Sequence, residues 1–209
     1  MRRLNVVLSA VIIAVMNSCG FPCKQPETYL ISELAKSYFS FPLEGSYWVF
    51  QNSSDAMDID TLFLIQRETD YYFQYTEQPC DGDYNEYVNY KLLGKNKKDT
   101  IRVSVTTHNN LDFYGMHGSY HNLSLSFFFE VDKHQQTFLA VPDYTLEIFD
   151  SYSVSNTVFT NVVKRASTNS NHKQTFCYAK DVGMIEFSIQ EENGSTLKSY
   201  RIKDYHIVK

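Results

Sequence analysis

The pattern closest to a metal site in this sequence is Asp81-Gly82-Asp83-Tyr84-Asn85-Glu86, in which oxygen donors occupy alternate positions. A calcium loop of the EF-hand type needs glycine in place of Glu86 and glutamate in place of Leu92. Both requirements fail. Asp-Gly is itself a turn dipeptide, so a solvated hairpin turn explains the segment better than a calcium site.

Two histidines and a serine lie close together in residues 117–121. His117 and His121 could share a metal on a helix, but on an extended strand they stand about 13 Å apart. Gly115 and Gly118 argue against a helix, and Ser119 lacks the surroundings of a nucleophile elbow. We therefore predict surface histidines, no catalytic residue, no bound metal, no cofactor and no enzymatic activity. Carboxylate pairs of the glycosidase type leave a hydrolase as an alternative.

The N-terminus has the parts of a secretory leader. Met1-Arg2-Arg3 is a short positive head, and residues 4–16 are mostly apolar. This stretch is too short to span a bilayer, because a spanning helix needs about 20 residues. Asn17-Ser18-Cys19-Gly20 resembles the lipobox of bacterial lipoproteins, which implies diacylglyceryl transfer to Cys19 and cleavage before it. The alternatives are an ordinary secretory leader that ends nearby and an uncleaved anchor.

Acylation of Cys19 would fix the chain to a membrane. Each buried methylene contributes roughly 0.8 kcal/mol, so one acyl chain holds weakly and two or three hold essentially permanently. We therefore predict a lipid-anchored protein of the cell envelope, at the outer membrane, with periplasm-facing and surface-facing orientations both open. Membrane lipid is its predicted partner through Cys19.

Four cysteines are present: Cys19, Cys23, Cys80 and Cys177. With Cys19 lipidated, three remain in an oxidising compartment, so at most one internal disulfide forms. Cys23 lies beside the anchor, and the predicted pair is Cys80 with Cys177, since both lie in the folded region. The alternative is that each is a buried, small apolar residue.

Composition indicates a globular β-protein that does not bind nucleic acid. The chain has 16 Tyr and 15 Phe, and these residues favour strands. The net charge is −5, and it becomes −7 when Arg2 and Arg3 leave with the leader. An acidic chain without a basic stripe is a poor candidate for nucleic-acid binding.

The rest of the chain is organised as a tether at 19–27 and one domain at 28–209, after a leader at 1–18. Apolar residues at Leu30, Ile31, Leu34 and Tyr38 predict a short amphipathic helix within 28–39. Turn clusters then separate short strand-like runs, several of which alternate with period two. The predicted strands are 47–51, 61–67, 71–76, 86–93, 100–107, 119–131, 137–141, 145–149, 157–164, 175–179, 183–190 and 197–208. The predicted fold class is mainly β, a single antiparallel sheet curled into a barrel, half-barrel or sandwich.

Two stretches resemble a known group of proteins. Residues 29–34 (YLISEL) with 41–50 (FPLEGSYWVF) resemble the opening of Bacteroidota-type cell-envelope lipoproteins of uncharacterised activity, and residues 175–187 (TFCYAKDVGMIEF) resemble their closing hairpin. The matches cover about a quarter of the mature chain and imply address and architecture, not chemistry. We expect Trp48 to anchor the core, Gly45 to permit a tight entry to its strand, and Gly183 to take a positive φ.

The predicted function is non-enzymatic binding of an apolar or amphipathic ligand in the concavity of the curled sheet. The aromatic run Phe127-Phe128-Phe129 among the strands motivates this hypothesis. The alternative for these rings is that they fill a closed core. A second function is docking on another envelope protein through an exposed edge strand or an aromatic patch.

Overall fold

The computed structural model describes residues 25–40, 42–75, 81–95, 99–120, 123–167, 172–191 and 196–209. Backbone packing divides the chain into two compact units: Met1–Thr28 with Phe73–Tyr84, and Tyr29–Tyr72 with Asn85–Lys209. In the described part of the smaller unit, the ring of Phe73 packs edge-on against Tyr75 and Tyr84. No helix within the described ranges is long and apolar enough to cross a membrane.

Strands dominate the described residues. They are β1 (Thr28–Tyr29), β2 (Tyr47–Asn52), β3 (Ile59–Tyr75), β4 (Gly82–Gly94), β5 (Thr100–His108), β6 (Leu111–Tyr120), β7 (Leu123–Asp132), β8 (Thr137–Phe138), β9 (Tyr144–Val154), β10 (Thr157–Ser167), β11 (His172–Ala179), β12 (Gly183–Glu191) and β13 (Thr196–His206). They form one antiparallel sheet in the order β8-β7-β6-β5-β4-β3-β2-β13-β12-β11-β10-β9, and β1 pairs with β4.

The sheet curls within the larger unit. Strands β6 and β11 are far apart in the sheet order, yet the rings of Tyr114 and Tyr178 on these strands lie 5.4 Å apart and their hydroxyls are hydrogen-bonded. The prediction of a mainly β protein, with a single curled antiparallel sheet and one short helix, is confirmed.

Period-two alternation positions side chains on the two faces of β5. Ile101, Val103 and Val105 are buried, whereas Arg102 is exposed and Ser104 is half-buried on the other face. The same alternation in the neighbouring strands gives the sheet one apolar face, which forms the core, and one polar face.

Several strand predictions were wrong in their boundaries. Residues 137–141 form a strand only over Thr137–Phe138, and residues 145–149 lie within the longer β9. Residues 61–67 and 71–76 were predicted as separate strands, but β3 runs through the polar segment between them without interruption. Residues 119–131 were predicted as one strand, whereas β6 and β7 are two strands of a hairpin. The glycines and polar residues of β6 hid it, because its core side carries only Asp112, Tyr114, Met116 and Tyr120 as buried residues. Residues 81–83 were predicted as a turn, but β4 already begins at Gly82.

The predicted N-terminal helix is shorter than expected. Helix α1 spans Glu33–Ala35 with Ser32 as its N-cap and continues as a π-helical turn over Lys36–Ser40. It does not begin earlier because Ser32 has an extended backbone, with a φ of −65° and a ψ of 155°. Buried carboxylates accept from the backbone N–H groups just before the helix: Glu86 accepts from Ile31 and Asp112 accepts from Ser32, both at 2.8 Å. The segment is thereby held against β4 and β6.

The opening and closing motifs meet in the core, where Trp48 is buried as predicted. Trp48 is 5% exposed and donates from its indole nitrogen to the carbonyl oxygen of Val182 at 2.7 Å. Gly183 has a φ of 89° and lies against the same indole, and Gly45 has a φ of 95°. The predicted positive φ of Gly183 is confirmed.

Two side chains, the buried Arg165 and the half-buried Gln174, join the ends of the curled sheet. Arg165 on β10 donates to the carbonyl oxygens of Phe128 at 2.8 Å and Leu139 at 3.0 Å. Gln174 on β11 both donates to and accepts from the backbone of β7, at 3.1 and 3.3 Å. Side chains therefore make the links that a continuous strand pairing would make in a closed barrel.

Candidate anion-binding groove

The inner face of the curled sheet is filled. Phe39 from the π-helical turn lies with its ring 4.1 Å from Tyr114, 5.1 Å from Phe129 and 5.2 Å from Tyr178. An apolar cavity among the described core residues, lined in part by β2, β5 and β11, has a volume of about 20 Å³. That is room for about one water molecule, whereas ligand pockets measure roughly 300–1,000 Å³.

The aromatic run in β7 belongs to this core. Phe127 and Phe129 are buried, and Phe128 faces the other way, with its ring 4.7 Å from Tyr144 and 5.4 Å from the guanidinium of Arg165. The arrangement favours the interpretation that these rings fill a closed core over that of a ligand site in the concavity.

The cysteines predicted to carry chemistry are divided between described and undescribed segments. Cys19 and Cys80 lie outside the described residues, so the lipid attachment and the Cys80–Cys177 pair stay predictions. Cys177 lies on β11 and is 1% exposed. Burial raises the pKa of its thiol to about 12, and the charge of Glu186 adds to the shift. The thiol form is therefore unreactive at neutral pH.

A groove of about 460 Å³ lies on the polar, outer face of the sheet. It crosses strands β3 to β6 in the larger unit. Its lining residues are Gln66, Glu68, Asn89, Tyr90, Lys91, Arg102, Val103, Ser104 and His117. Tyr90 and Val103 are 8% and 2% exposed, because their side chains belong to the core face. The groove is therefore lined by polar and charged side chains.

A lysine, an arginine and a histidine form a row across the groove. Lys91 on β4 is the direct cross-strand partner of Arg102 on β5. Arg102 is in turn the partner of His117 on β6. Since neighbouring strands lie about 4.8 Å apart, the row spans about 10 Å perpendicular to the strands. We call these three residues the basic row.

The basic row lacks internal charge compensation. Within the described part of the chain, none of its three side chains forms an ion pair or a hydrogen bond. Glu68 is the acidic residue in the lining, and it accepts a hydrogen bond from Tyr87 at 3.3 Å. Like charges directly opposite each other on neighbouring strands destabilise a sheet. The row is thus an arrangement that folding alone does not favour.

Two glycines on β6 border the groove for different reasons. Gly115 is the partner of Ser104, and a Cβ atom added to it would meet nothing within 4 Å. A side chain here would project into open space beside the groove. Gly118 is the partner of Ile101, and an added Cβ would collide with the carbonyl oxygen of Thr100. Gly118 is therefore required by the backbone, whereas Gly115 is not.

A second depression of about 280 Å³ adjoins the groove. It is lined by Lys91, Thr100, Arg102, His117 and Gly118. All three members of the basic row line both spaces, so the row separates them and is accessible from each side. A ligand that lies along β5 would cross the row at its middle.

The chemistry available in the groove is the binding of anions. Lysine and arginine are donors only, and the planar guanidinium can bind a carboxylate through two parallel hydrogen bonds. The described residues contain no group of three metal-ligating side chains close enough to hold an ion. The basic row includes His117, which was predicted as a surface histidine and is exposed. Lys91 and Arg102 were missed, because only the strand register shows that they are neighbours.

Comparisons with known proteins leave this assignment to the chain's own residues. No protein-family model matches the chain, and no curated protein matches it in sequence. Among solved structures, the chain is similar to the crystal structure of a candidate lipoprotein from Parabacteroides distasonis ATCC 8503. The sequences are 11% identical, the similarity covers 79% of this chain and 96% of that chain, and the TM-score is 0.36.

Proposed function

We propose that this chain is a lipid-anchored envelope lipoprotein whose β-domain binds an anionic ligand in the outer groove. The observation that carries the binding role is the basic row, in which Lys91, Arg102 and His117 are adjacent and have no acidic partner in the described structure. The leader and Cys19 support the anchor. Binding here needs no movement of the filled core.

A bound anion would offset the repulsion between the positive charges of the basic row. Opposite charges about 4 Å apart attract by about 4 kcal/mol at the effective dielectric constant of a protein surface, before the cost of desolvation. A hydrogen bond to a charged group contributes about 1.5–3 kcal/mol net. Two such contacts give a micromolar to millimolar dissociation constant. Affinity of this origin weakens as salt is added, because the Debye length is about 10 Å at 0.1 M.

The anchor is tested by replacing Cys19 with serine. A serine hydroxyl cannot form the thioether bond that attaches the diacylglyceryl group. C19S is therefore expected to lose palmitate labelling completely and to move from the membrane pellet to the soluble envelope fraction. Metabolic labelling with radioactive palmitate, followed by fractionation, measures both effects. C23S, in the same segment, is the control and is expected to keep label and membrane attachment. Full labelling of C19S would contradict the anchor.

The groove is tested by titrating the full chain, purified in detergent, with oligoglutamate and with neutral oligoglutamine. Binding is measured by calorimetry, and we expect oligoglutamate to bind and oligoglutamine not to bind. Arg102→Gln is expected to raise the oligoglutamate dissociation constant about tenfold, because one charge-assisted contact is lost. Lys203→Gln removes an exposed charge on β13 and is expected to change it less than twofold. Equal weakening by both variants would indicate general charge attraction and contradict a specific groove.

A second candidate function is docking on another envelope protein through β9. This strand is at one end of the sheet order, and its Ile148 is 59% exposed. An edge strand offers unpaired backbone groups to an added strand. Substituting Ile148 with lysine would weaken such docking and leave binding of oligoglutamate in the groove unchanged.

A further inference from the structure

We propose that the ligand of the groove is an acidic carbohydrate, in which a carboxylate lies on the basic row and sugar hydroxyls lie on the amide and hydroxyl side chains around it. This inference rests on the proposed function, since it specifies the ligand of the same groove. The distribution of neutral polar side chains along the groove carries it.

Neutral donors and acceptors flank the basic row on both sides. Thr100, Arg102 and Ser104 share the outer face of β5, and Asn89 and Lys91 share that of β4. From Thr100 to Ser104 is four residues, or about 13 Å. A ligand that follows β5 therefore meets a hydroxyl, then the cations, then a hydroxyl and an amide. A charge in the middle with hydroxyls on either side is the pattern of an acidic oligosaccharide.

The hydrogen-bonding groups of these flanking side chains are open to a ligand. The side chains of Gln66, Asn89 and Ser104 form no hydrogen bond within the described ranges, although their backbones belong to the strand ladders. Amide side chains supply both donors and acceptors, which matches the dual character of sugar hydroxyls. Glu68, which also lines the groove, accepts from Tyr87 and can accept further bonds.

Other anions fit the groove less well. Acyl chains need apolar lining, but the apolar lining residues Tyr90 and Val103 have their side chains in the core. A nucleic acid is a longer polyanion than a short acidic oligosaccharide, and the net charge of −5 repels it more strongly. A planar carboxylate matches the fork of the Arg102 guanidinium and can bind it through two hydrogen bonds. These constraints favour a carboxylated sugar over a lipid headgroup or a nucleic acid.

The test compares two ligands that have the same charge. The full chain in detergent is titrated with oligogalacturonate and with oligoglutamate of matched length and carboxylate number. We expect oligogalacturonate to bind about tenfold more tightly, since each added neutral hydrogen bond is worth a factor of about two to ten. The double variant Asn89→Ala/Ser104→Ala is expected to remove that advantage, because it removes an amide and a hydroxyl that would bind sugar hydroxyls.

The outcomes separate this inference from the proposed function. Equal affinity for the two ligands, unaffected by the double variant, would overturn the carbohydrate and keep the anion groove. Failure of both ligands to bind would overturn both. Phosphatidylglycerol vesicles and inorganic pyrophosphate are added as competitors. If either displaces oligogalacturonate at a lower concentration of anionic groups than oligoglutamate does, the carbohydrate assignment is wrong.

Discussion

Replacing Arg165 with methionine is expected to lower the free energy of unfolding by about 3 kcal/mol. The Arg165 side chain is fully buried, and its guanidinium donates to the carbonyl oxygens of Phe128 and Leu139 at 2.8 and 3.0 Å. It also lies over the rings of Phe128, Phe129 and Tyr144 at 5.1–5.4 Å. Methionine keeps much of the packing but leaves both carbonyl groups buried without a donor.

The charge of Arg165 reduces the loss that its removal causes. Burial lowers the pKa of the guanidinium, and the negative charge of Glu130 opposes that shift. The group remains protonated, since arginine keeps its proton at all ordinary pH values. Removing a desolvated charge recovers some free energy, which is why we expect about 3 kcal/mol and not the larger sum of two charge-assisted hydrogen bonds.

Urea unfolding of the full chain in detergent measures this effect. Trp48 is the single tryptophan and is buried, so its fluorescence reports the core. Arg102→Met makes the same chemical change at an exposed position and is expected to alter stability by less than about 0.5 kcal/mol. Gln174→Ala, at the same junction, is expected to cost about 1 kcal/mol. If Arg165→Met fails to fold, the unfolding of Gln174→Ala tests the same contact between strands.

The contact between Gln174 and β7 is also expected to protect a backbone amide of β7 from hydrogen exchange. The backbone N–H of Ser126 on β7 donates to the Gln174 side chain at 3.3 Å. Its hydrogen exchange is therefore expected to accelerate in Gln174→Ala and to stay unchanged in Arg102→Met. If Arg165→Met and Gln174→Ala both unfold like the parent protein, these two side chains do not join the ends of the sheet.

Replacing Gly115 with isoleucine is expected to raise stability and abolish binding in the groove. Glycine inside a strand costs about 0.5–1 kcal/mol in stability, and a β-branched residue suits a strand. An added Cβ at Gly115 meets nothing within 4 Å, so the new side chain enters without strain. It projects beside Ser104 into the space that the ligand would occupy. The oligoglutamate dissociation constant is expected to rise at least tenfold.

Gly118→Ala provides the matched contrast on the same strand. Its added methyl group would collide with the backbone at Thr100, so this variant is expected to lose about 1–3 kcal/mol of stability. Urea unfolding and calorimetric titration of both variants separate the two roles. A Gly115→Ile variant that binds oligoglutamate as tightly as the parent protein would place the ligand elsewhere.

The sequence predicted the class of fold because the strands carry their own signal. Alternation in residues 100–107 placed Ile101, Val103 and Val105 on one face, and β5 shows that arrangement. The same signal is weak in β6, where Gly115 and Gly118 interrupt it and Asp112 occupies a buried position. The helix predicted within 28–39 begins directly after Ser32, which caps it: its backbone is extended and its side chain accepts a hydrogen bond from the N–H of Ala35.

The candidate site depended on information that no local pattern contains. Lys91, Arg102 and His117 are separated by 10 or more residues along the chain, and each alone is an ordinary polar position on a strand. A shift of one residue in the pairing of β4, β5 and β6 would move them to different faces or different neighbours. The residues of the connecting loops do not predict this register.

The amino-acid sequence by itself determined the predicted leader, the cysteine available for lipidation and the β-rich character of the domain. Each of these depends on residues adjacent in the chain. Tertiary structure decided that the aromatic rings fill the concavity and that Arg165 joins the ends of the sheet. It also decided that three basic side chains stand in a row with no ion pair to an acidic residue in the described part of the chain. The physical reason is that curling brings together strands that are distant in sequence, and only packing selects their register.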